Sequence, residues 1–259
     1  MRHGLFVAPF GELSEPAVVA ECAAEAEQAG FHGLFVWDHV LYAPHVEEIA
    51  DPWVTLAAVA CATRSLRLGT MVTPVGRRRP HKLARETVTL DRLSGGRVVL
   101  GVGLGSDTTG ELDTFGEPSD ARERARLLDT GLGALVGYWA GDEVGDTGVR
   151  FLPRPVQLPR IPVWVASVYP HRTPLQRVAQ WDGWFPIGLD DPAQLAEQLA
   201  VVRDLRGGDI AGFDVVVRAE PDHHPTAWAD AGATWWLSGF GPTPTVHALR
   251  TAIADGPVG

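Results

Sequence analysis

Histidine is the side chain whose ordinary proton affinity lies nearest neutrality. Held at a strand end, it can take up or deliver a proton beside a transferred hydride. His39 is such a residue: with Asp38 it follows the apolar run Leu34–Trp37. The pair reads either as a proton-transfer unit or as a loop capped through the ring nitrogens. Other residues could hold a ligand without reacting with it. The turn Gly101-Val-Gly-Leu-Gly105, followed by Ser106, lets backbone come close to a bound molecule, although GxGxG by itself is a weak signal. The stretch Ala166-Ser-Val-Tyr-Pro-His-Arg-Thr-Pro174 could bind an anion through backbone N–H groups and the start of a following helix. There Ser167, His171 and Arg172 would add donors, Arg172 in bidentate fashion. The alternative is a solvated loop capped by Thr173. Arg77–Arg78–Arg79 likewise reads as a solvated loop at a helix start, or as a landing strip for an anionic cofactor tail or substrate.

Composition narrows the chemistry further. The chain has 259 residues, and 22 Lys plus Arg against 32 Asp plus Glu give a net charge of −10. That acidic balance argues against a nucleic-acid partner, which needs a basic face. No apolar run approaches the roughly 18–20 residues of a membrane span. The opening MRHGLFVAPFGELSEP has a short apolar stretch with no small-residue cleavage site behind it, so a soluble, cytoplasmic protein is expected. Cys22 and Cys61 sit in Ala-rich helical patterns and read as small core residues, with neither a disulfide nor a zinc site expected. His3, His45, His81, His223 and His224 lack HxH or HExxH spacing, so no metal site is expected, and neither a GxSxG nor a P-loop occurs.

The elements that must position these residues alternate from one end of the chain to the other. Short apolar runs at Leu5–Pro9, Leu34–Trp37, Leu66–Thr73, Val98–Val102, Pro162–Ala166, Gly183–Phe185, Val215–Val217 and Thr234–Leu237 predict strands covered on both faces. Helical spacing appears between them at Val18–Ala29, Val54–Ala62, Lys82–Leu93, Ala121–Tyr138 and Leu195–Leu205. Prolines 16, 52, 80, 174, 192, 225 and 244 mark predicted first turns, several behind a capping residue: Asp51, Thr173, Asp191 or Thr243. Asp120 with Glu123 predicts a capping box, and Gly30 and Gly232 predict helix ends. Eight strand–helix units in one domain spanning residues 1–259 predict an α/β fold, a (β/α)8 TIM barrel, in preference to a doubly wound sheet. The stretch Gly141–Pro162 is expected to be a long excursion before the fifth strand. Chemistry in such a barrel sits at the C-terminal strand ends. Here those ends are aromatic, glycine-rich and poor in carboxylates, which suits a flat aromatic ligand. Trp37 and Trp184 are candidates to line that mouth, and the other strand tryptophans read as packing residues.

The segment LRLGTMVTPVGRRRPHKLARETVTLDRLSGGRVVLGVGLG, residues 66–105, resembles the bacterial-luciferase-like superfamily of flavin- and deazaflavin-dependent oxidoreductases. FHGLFVWDH, FLPRPVQLPRIPVWVAS, WDGWFPIG and AGATWWL extend the resemblance over nearly the whole chain. It implies a barrel binding either FMN or coenzyme F420, an 8-hydroxy-5-deazaflavin, with the ring in the mouth. It implies that Asp38 and His39 lie against the ring as the catalytic pair. It also implies that Met71, Val72 and Thr73 contact the ring, with a cis peptide at Met71–Val72, and that Gly103 and Gly105 line the site. Ser106, Ala166, Ser167 and Arg172 complete the expected cofactor contacts. Leu104 and Gly103 stand where luciferase-type relatives carry a phosphate-binding arginine and a cysteine. Ser106 stands where relatives acting on sugar phosphates carry an acidic proton donor, which leaves a second proton-transfer group unidentified. F420 is therefore favoured over FMN, with hydride passing between F420 and a small organic substrate while His39 handles the proton. The alternatives are an FMN monooxygenase fed by a separate flavin reductase, and a non-catalytic flavin-binding barrel. A homodimer through the helices at Val18–Ala29 and Val54–Ala62 is also expected.

Overall fold

The computed structural model describes residues 1–220 and 223–257. In chain order its elements are β1 (Arg2–Val7), α1 (Pro16–Gln28), β2 (Gly33–Val36), α2 (Pro52–Ala62), β3 (Arg67–Pro74), α3 (Pro80–Ser94) and β4 (Val98–Gly103). The one-turn α4 (Glu111–Thr114), then α5 (Ala121–Ala140), β5 (Val163–Val168), the one-turn α6 (Leu175–Val178), β6 (Gly183–Ile187) and α7 (Pro192–Leu205) follow. The chain ends with β7 (Asp214–Arg218), α8 (Pro225–Asp230), β8 (Trp235–Gly239) and α9 (Val246–Asp255). Each strand pairs in parallel with the next, and β8 closes on β1, giving the closed eight-stranded (β/α)8 barrel.

Side chains on a strand point alternately to its two faces, so consecutive apolar residues must feed two cores. Leu5, Val7, Leu34, Val36, Leu100 and Val165 pack outward against the helices. Phe6, Phe35, Met71, Val99, Trp164, Phe185, Val216, Trp235 and Leu237 fill the cylinder. At its bottom Phe35, Trp164 and Trp235 stack with ring centroids 5.2–5.6 Å apart. This packing shuts the barrel from below and leaves open space above. The alternation slips once: the register of β3 against β4 shifts between Thr70 and Thr73. Met71 and Val72 both face inward there, and the peptide between them is cis.

Helix starts follow local chemistry with some changes of residue. Asp51 accepts from the N–H groups of Trp53 and Val54, Asp191 from Ala193, and Asp120 from Glu123. The return bond of a capping box at Glu123 is not formed among the described residues. Thr243 does not cap the last helix; Thr245 does, accepting from Ala248. Thr173 caps nothing, because the helix after β5 is a single turn entered through Pro174. Cys61 is exposed, whereas Cys22 is buried. Trp184 points outward into the helix layer rather than lining the mouth. The excursion 141–162 folds back beneath the barrel, where Asp91 accepts from the backbone of Val156 and Gln157 and from the Gln157 amide.

Two charged side chains hold the end away from the mouth. Arg97 donates to the carbonyls of Ala60, Thr63, Leu66 and Ser94 and to the Thr63 hydroxyl, clamping the end of α2 to the start of β3. Glu27, on α1, accepts from the backbone N–H groups of Arg64, Ser65 and Leu66 and from the Ser65 hydroxyl. Burial pushes the Glu27 carboxyl up, but the Ser65, Leu66 and Arg64 hydrogen bonds outweigh it and hold the value at about 2, from 4.5. A depressed carboxyl stabilises the fold fully above its unfolded value and loses that contribution as pH falls toward 2. Because Glu27 is near the surface, Glu27→Gln should cost about 1 kcal/mol at pH 7, or about 2–4 °C in Tm. The deficit should shrink progressively in thermal melts taken from about pH 5 down toward 2.

Candidate active site

Above the aromatic plug the C-terminal strand ends enclose a cavity of about 920 Å³. Phe6, Met71 and Phe185 form its floor. Val72, Gly103 and Ala166, from three neighbouring strands, form a wall of small side chains. A Cβ on Gly103 would come within 2.7 Å of Val72 Cγ2, and one on Gly105, at φ +74°, within 3.0 Å of Pro74. Both glycines are therefore required by the close approach of the strands, and the wall they leave is flat and apolar. Such a slot fits a planar ring. The rim is polar: His171 and the charged Arg177 beside β5, and the charged Arg218 and Glu220 with His223 beside β7.

His39 borders this cavity because the strand alternation continues past β2. Phe35, Trp37 and His39 face inward and Asp38 faces out. The imidazole sits among the rings of Phe10, Trp37 and Tyr42, with centroids 6.2, 6.0 and 5.1 Å away. Its Nδ1 lies 3.0 Å from Oε2 of Glu111, on α4, and its side chain is 23% exposed. Glu111 is buried. Its Oε1 accepts from the N–H groups of Val40 at 2.6 Å and Leu41 at 3.3 Å, and from Arg77. Burial works against its ionisation, but the hydrogen bonds from His39 and Val40 and the charge of Arg77 outweigh that and hold the carboxyl below its ordinary value.

Arg77 joins this pair to a second buried carboxylate. Its other guanidinium nitrogen donates to Asp38 Oδ1 at 2.6 Å and to the Asp38 carbonyl at 2.9 Å. Arg78 donates to both Asp38 oxygens, at 2.7 and 3.2 Å, and Thr73 Oγ1 donates to Oδ2 at 2.7 Å.

Eight of the expected residues converge on the cavity: His39, Met71, Val72, Gly103, Gly105, Ser106, Ala166 and Ser167. Three do not. Asp38 is enclosed by two arginines and does not face the cavity. Thr73 is turned outward onto Asp38 and Thr70, because the β3 register shift puts Met71 and Val72 inward instead. Arg172 is 62% exposed and pairs with Glu197 on α7. The anion site expected at the start of α6 is not formed as drawn. The N–H groups of Leu175, Gln176, Arg177 and Val178 are committed to carbonyls of residues 172–174. The Ser167 hydroxyl accepts from Trp184 Nε1 at 2.8 Å. Arg77 and Arg78 are neither solvated nor free for a ligand, since both are spent on Asp38, Glu111 and Glu86.

Sequence reasoning missed Glu111 and Arg177, whereas Arg218 and Glu220 lie at the β7 end of the mouth where the strand pattern puts them. Glu111 lies in a single helical turn without periodicity. The signal that pointed to it was indirect: arginines beside an apolar strand end, if buried, require carboxylates close by.

The family profile described as luciferase-like monooxygenase matches residues 1–253. The chain belongs to this family, a class of oxidoreductases. An uncharacterized protein of Mycobacterium tuberculosis is 30% identical over 93% of this chain and 92% of its own length. The F420-dependent hydroxymycolic acid dehydrogenase of the same organism is 32% identical over 72% of this chain, which spans only 54% of that enzyme. A solved F420-dependent secondary alcohol dehydrogenase, in complex with an F420–acetone adduct, shares the fold with a TM-score of 0.80. It covers 99% of this chain and 98% of its own at 16% identity. Among the described residues no helix is long and apolar enough to cross a membrane, and no group of three or more His, Cys, Asp or Glu could hold a metal ion.

Asp38→Asn should remove a charge that two buried guanidiniums require, costing about 3 kcal/mol in urea unfolding. Unchanged stability with lost turnover would return Asp38 to the chemistry.

Proposed function

We propose that the barrel mouth binds coenzyme F420 and that the protein moves hydride between this coenzyme and a small organic substrate, with His39 exchanging the accompanying proton. The observation that carries this reading is the His39 ring at the edge of a flat apolar slot, held by a buried carboxylate on one side and open to the cavity on the other. Met71 and Val72 would support one face of the ring, Gly103 and Ala166 its edge. Phe6 and Phe185 would keep water from beneath it. The Arg177 guanidinium, steadied by Asp129 at 2.9 Å, and the His171 ring are the groups placed to meet an anionic tail. When bound, the deazaflavin ring supplies hydride at a carbon and reacts poorly with oxygen, whereas reduced FMN can activate oxygen.

Two observations favour F420 over FMN. The relative named above that covers most of this chain and carries a stated activity is F420-dependent. Leu104 and Gly103 offer neither a cationic phosphate anchor nor a thiol beside the ring. The role of His39 is to hold the proton that a substrate loses on oxidation or gains on reduction. The substrate would approach from the side of Trp37 and Arg218.

Parallel titration of the protein with F420 and FMN, followed by ring fluorescence, should show F420 bound at least about tenfold more tightly, a difference of about 1.4 kcal/mol. Turnover should persist without oxygen. Tighter FMN binding with strict oxygen dependence would replace this reading with an FMN monooxygenase. His39→Ala should lower kcat by about 10²- to 10⁴-fold, the usual worth of general acid–base catalysis, while leaving F420 affinity unchanged. Equal turnover in variant and parent would remove His39 from the reaction.

A further inference from the structure

A neutral imidazole carries its proton on one nitrogen only, and which one decides whether it can act as a base toward the cavity. In this protein the choice is constrained by a carboxylate whose two oxygens do different work. Glu111 Oε1 is fully claimed by obligate donors: the N–H groups of Val40 and Leu41, and Arg77. That leaves Oε2 facing His39 Nδ1 at 3.0 Å. An ionised carboxylate has no proton to give, so Nδ1 must be the donor. The hydrogen bonds and cation around Glu111 favour that ionised form against its burial.

The other groups around the imidazole impose no competing demand. Phe10, Trp37 and Tyr42 present rings. Asp38, the adjacent carboxylate, is turned away onto Arg77 and Arg78. Among the described residues His39 Nε2 has no protein partner, while the side chain borders the cavity.

We propose that Glu111 is a positioning residue that fixes neutral His39 as its Nδ1–H tautomer and so leaves Nε2 as the proton-accepting atom at the cavity. A proton lost by the substrate on oxidation goes to Nε2, and Glu111 stabilises the imidazolium that results. In the reductive direction the same proton returns from Nε2. This supplies a partner that Ser106 cannot provide: a carboxylate acting through His39 rather than a second proton donor. The catalytic part of the inference rests on the function proposed above. The tautomer itself requires neither coenzyme nor substrate.

Glu111→Gln is the discriminating variant because it keeps size and shape while changing what can face His39. Three donors hold the Oε1 position, so the glutamine oxygen must turn toward them and its NH2 toward Nδ1. Nδ1 must then accept, and the proton moves to Nε2. Nitrogen-15 spectra of the full-length protein with labelled histidine, free of coenzyme and at a pH where the ring is neutral, read this directly. The His39 signals are assigned by their loss in His39→Asn. The parent should show the Nδ1–H tautomer and Glu111→Gln the Nε2–H tautomer, with kcat reduced by about 10²- to 10⁴-fold and KM little changed. An Nε2–H tautomer in the parent, or the same tautomer and kcat in both proteins, overturns the proposal. Should Glu111→Gln fail to fold, the parent spectrum decides alone. Loss of F420 binding in the titration would remove the proposed function without touching the tautomer result.

Discussion

A guanidinium shared between two buried carboxylates is the constraint on which the site depends. Arg77 reaches Asp38, just beyond β2, with one nitrogen and Glu111 on α4 with the other. Burying any one of these three charges alone would be costly, and together they hold one another in place. The consequence is geometric. Asp38 anchors the end of β2 on its outer face, Glu111 anchors the chain just beyond it, and His39 between them has its inward direction settled. The imidazole therefore stands at the cavity edge because the charges behind it are satisfied, while the cavity floor and wall stay apolar.

The same separation of tasks runs through the barrel. The far end carries the clamps: Arg97 on four carbonyls, Glu27 on three N–H groups. The bottom of the cylinder is plugged by Phe35, Trp164 and Trp235, which leaves the mouth as its open end. At the mouth the walls are made by glycine, alanine and valine, so a planar molecule can lie where side chains stop. The clamps of the far end and the cavity of the mouth thus lie apart, the mouth being the end at which this architecture carries its chemistry.

Much of this was legible in the residues themselves. Strands buried on both faces read as unbroken apolar runs, and proline at helix starts marked the boundaries, so the barrel and the cavity-facing His39 followed from short-range patterns. What resisted was set by tertiary geometry. Asp38 looked like half of a reactive pair, yet the alternation that turns His39 inward necessarily turns its neighbour outward. Thr73 fell on the wrong face because β3 slips in register, and no local pattern announces that slip. Arg172 and Arg177 are equivalent as residue types, and only the course of the loop sends one to Glu197 and the other to the cavity. Glu111 sits in a single helical turn and becomes meaningful only once the fold brings it to His39 and Arg77.

The central claim is that a planar redox ring lies over Met71 and Val72 with His39 at its border. A crystal structure of the protein soaked with F420 tests it most directly. The account predicts ring density over those two residues, the imidazole beside it still bonded to Glu111, and Asp38 still enclosed by its arginines. Ring density outside the barrel mouth, or a His39 swung into solvent with Asp38 facing the ligand, would contradict it.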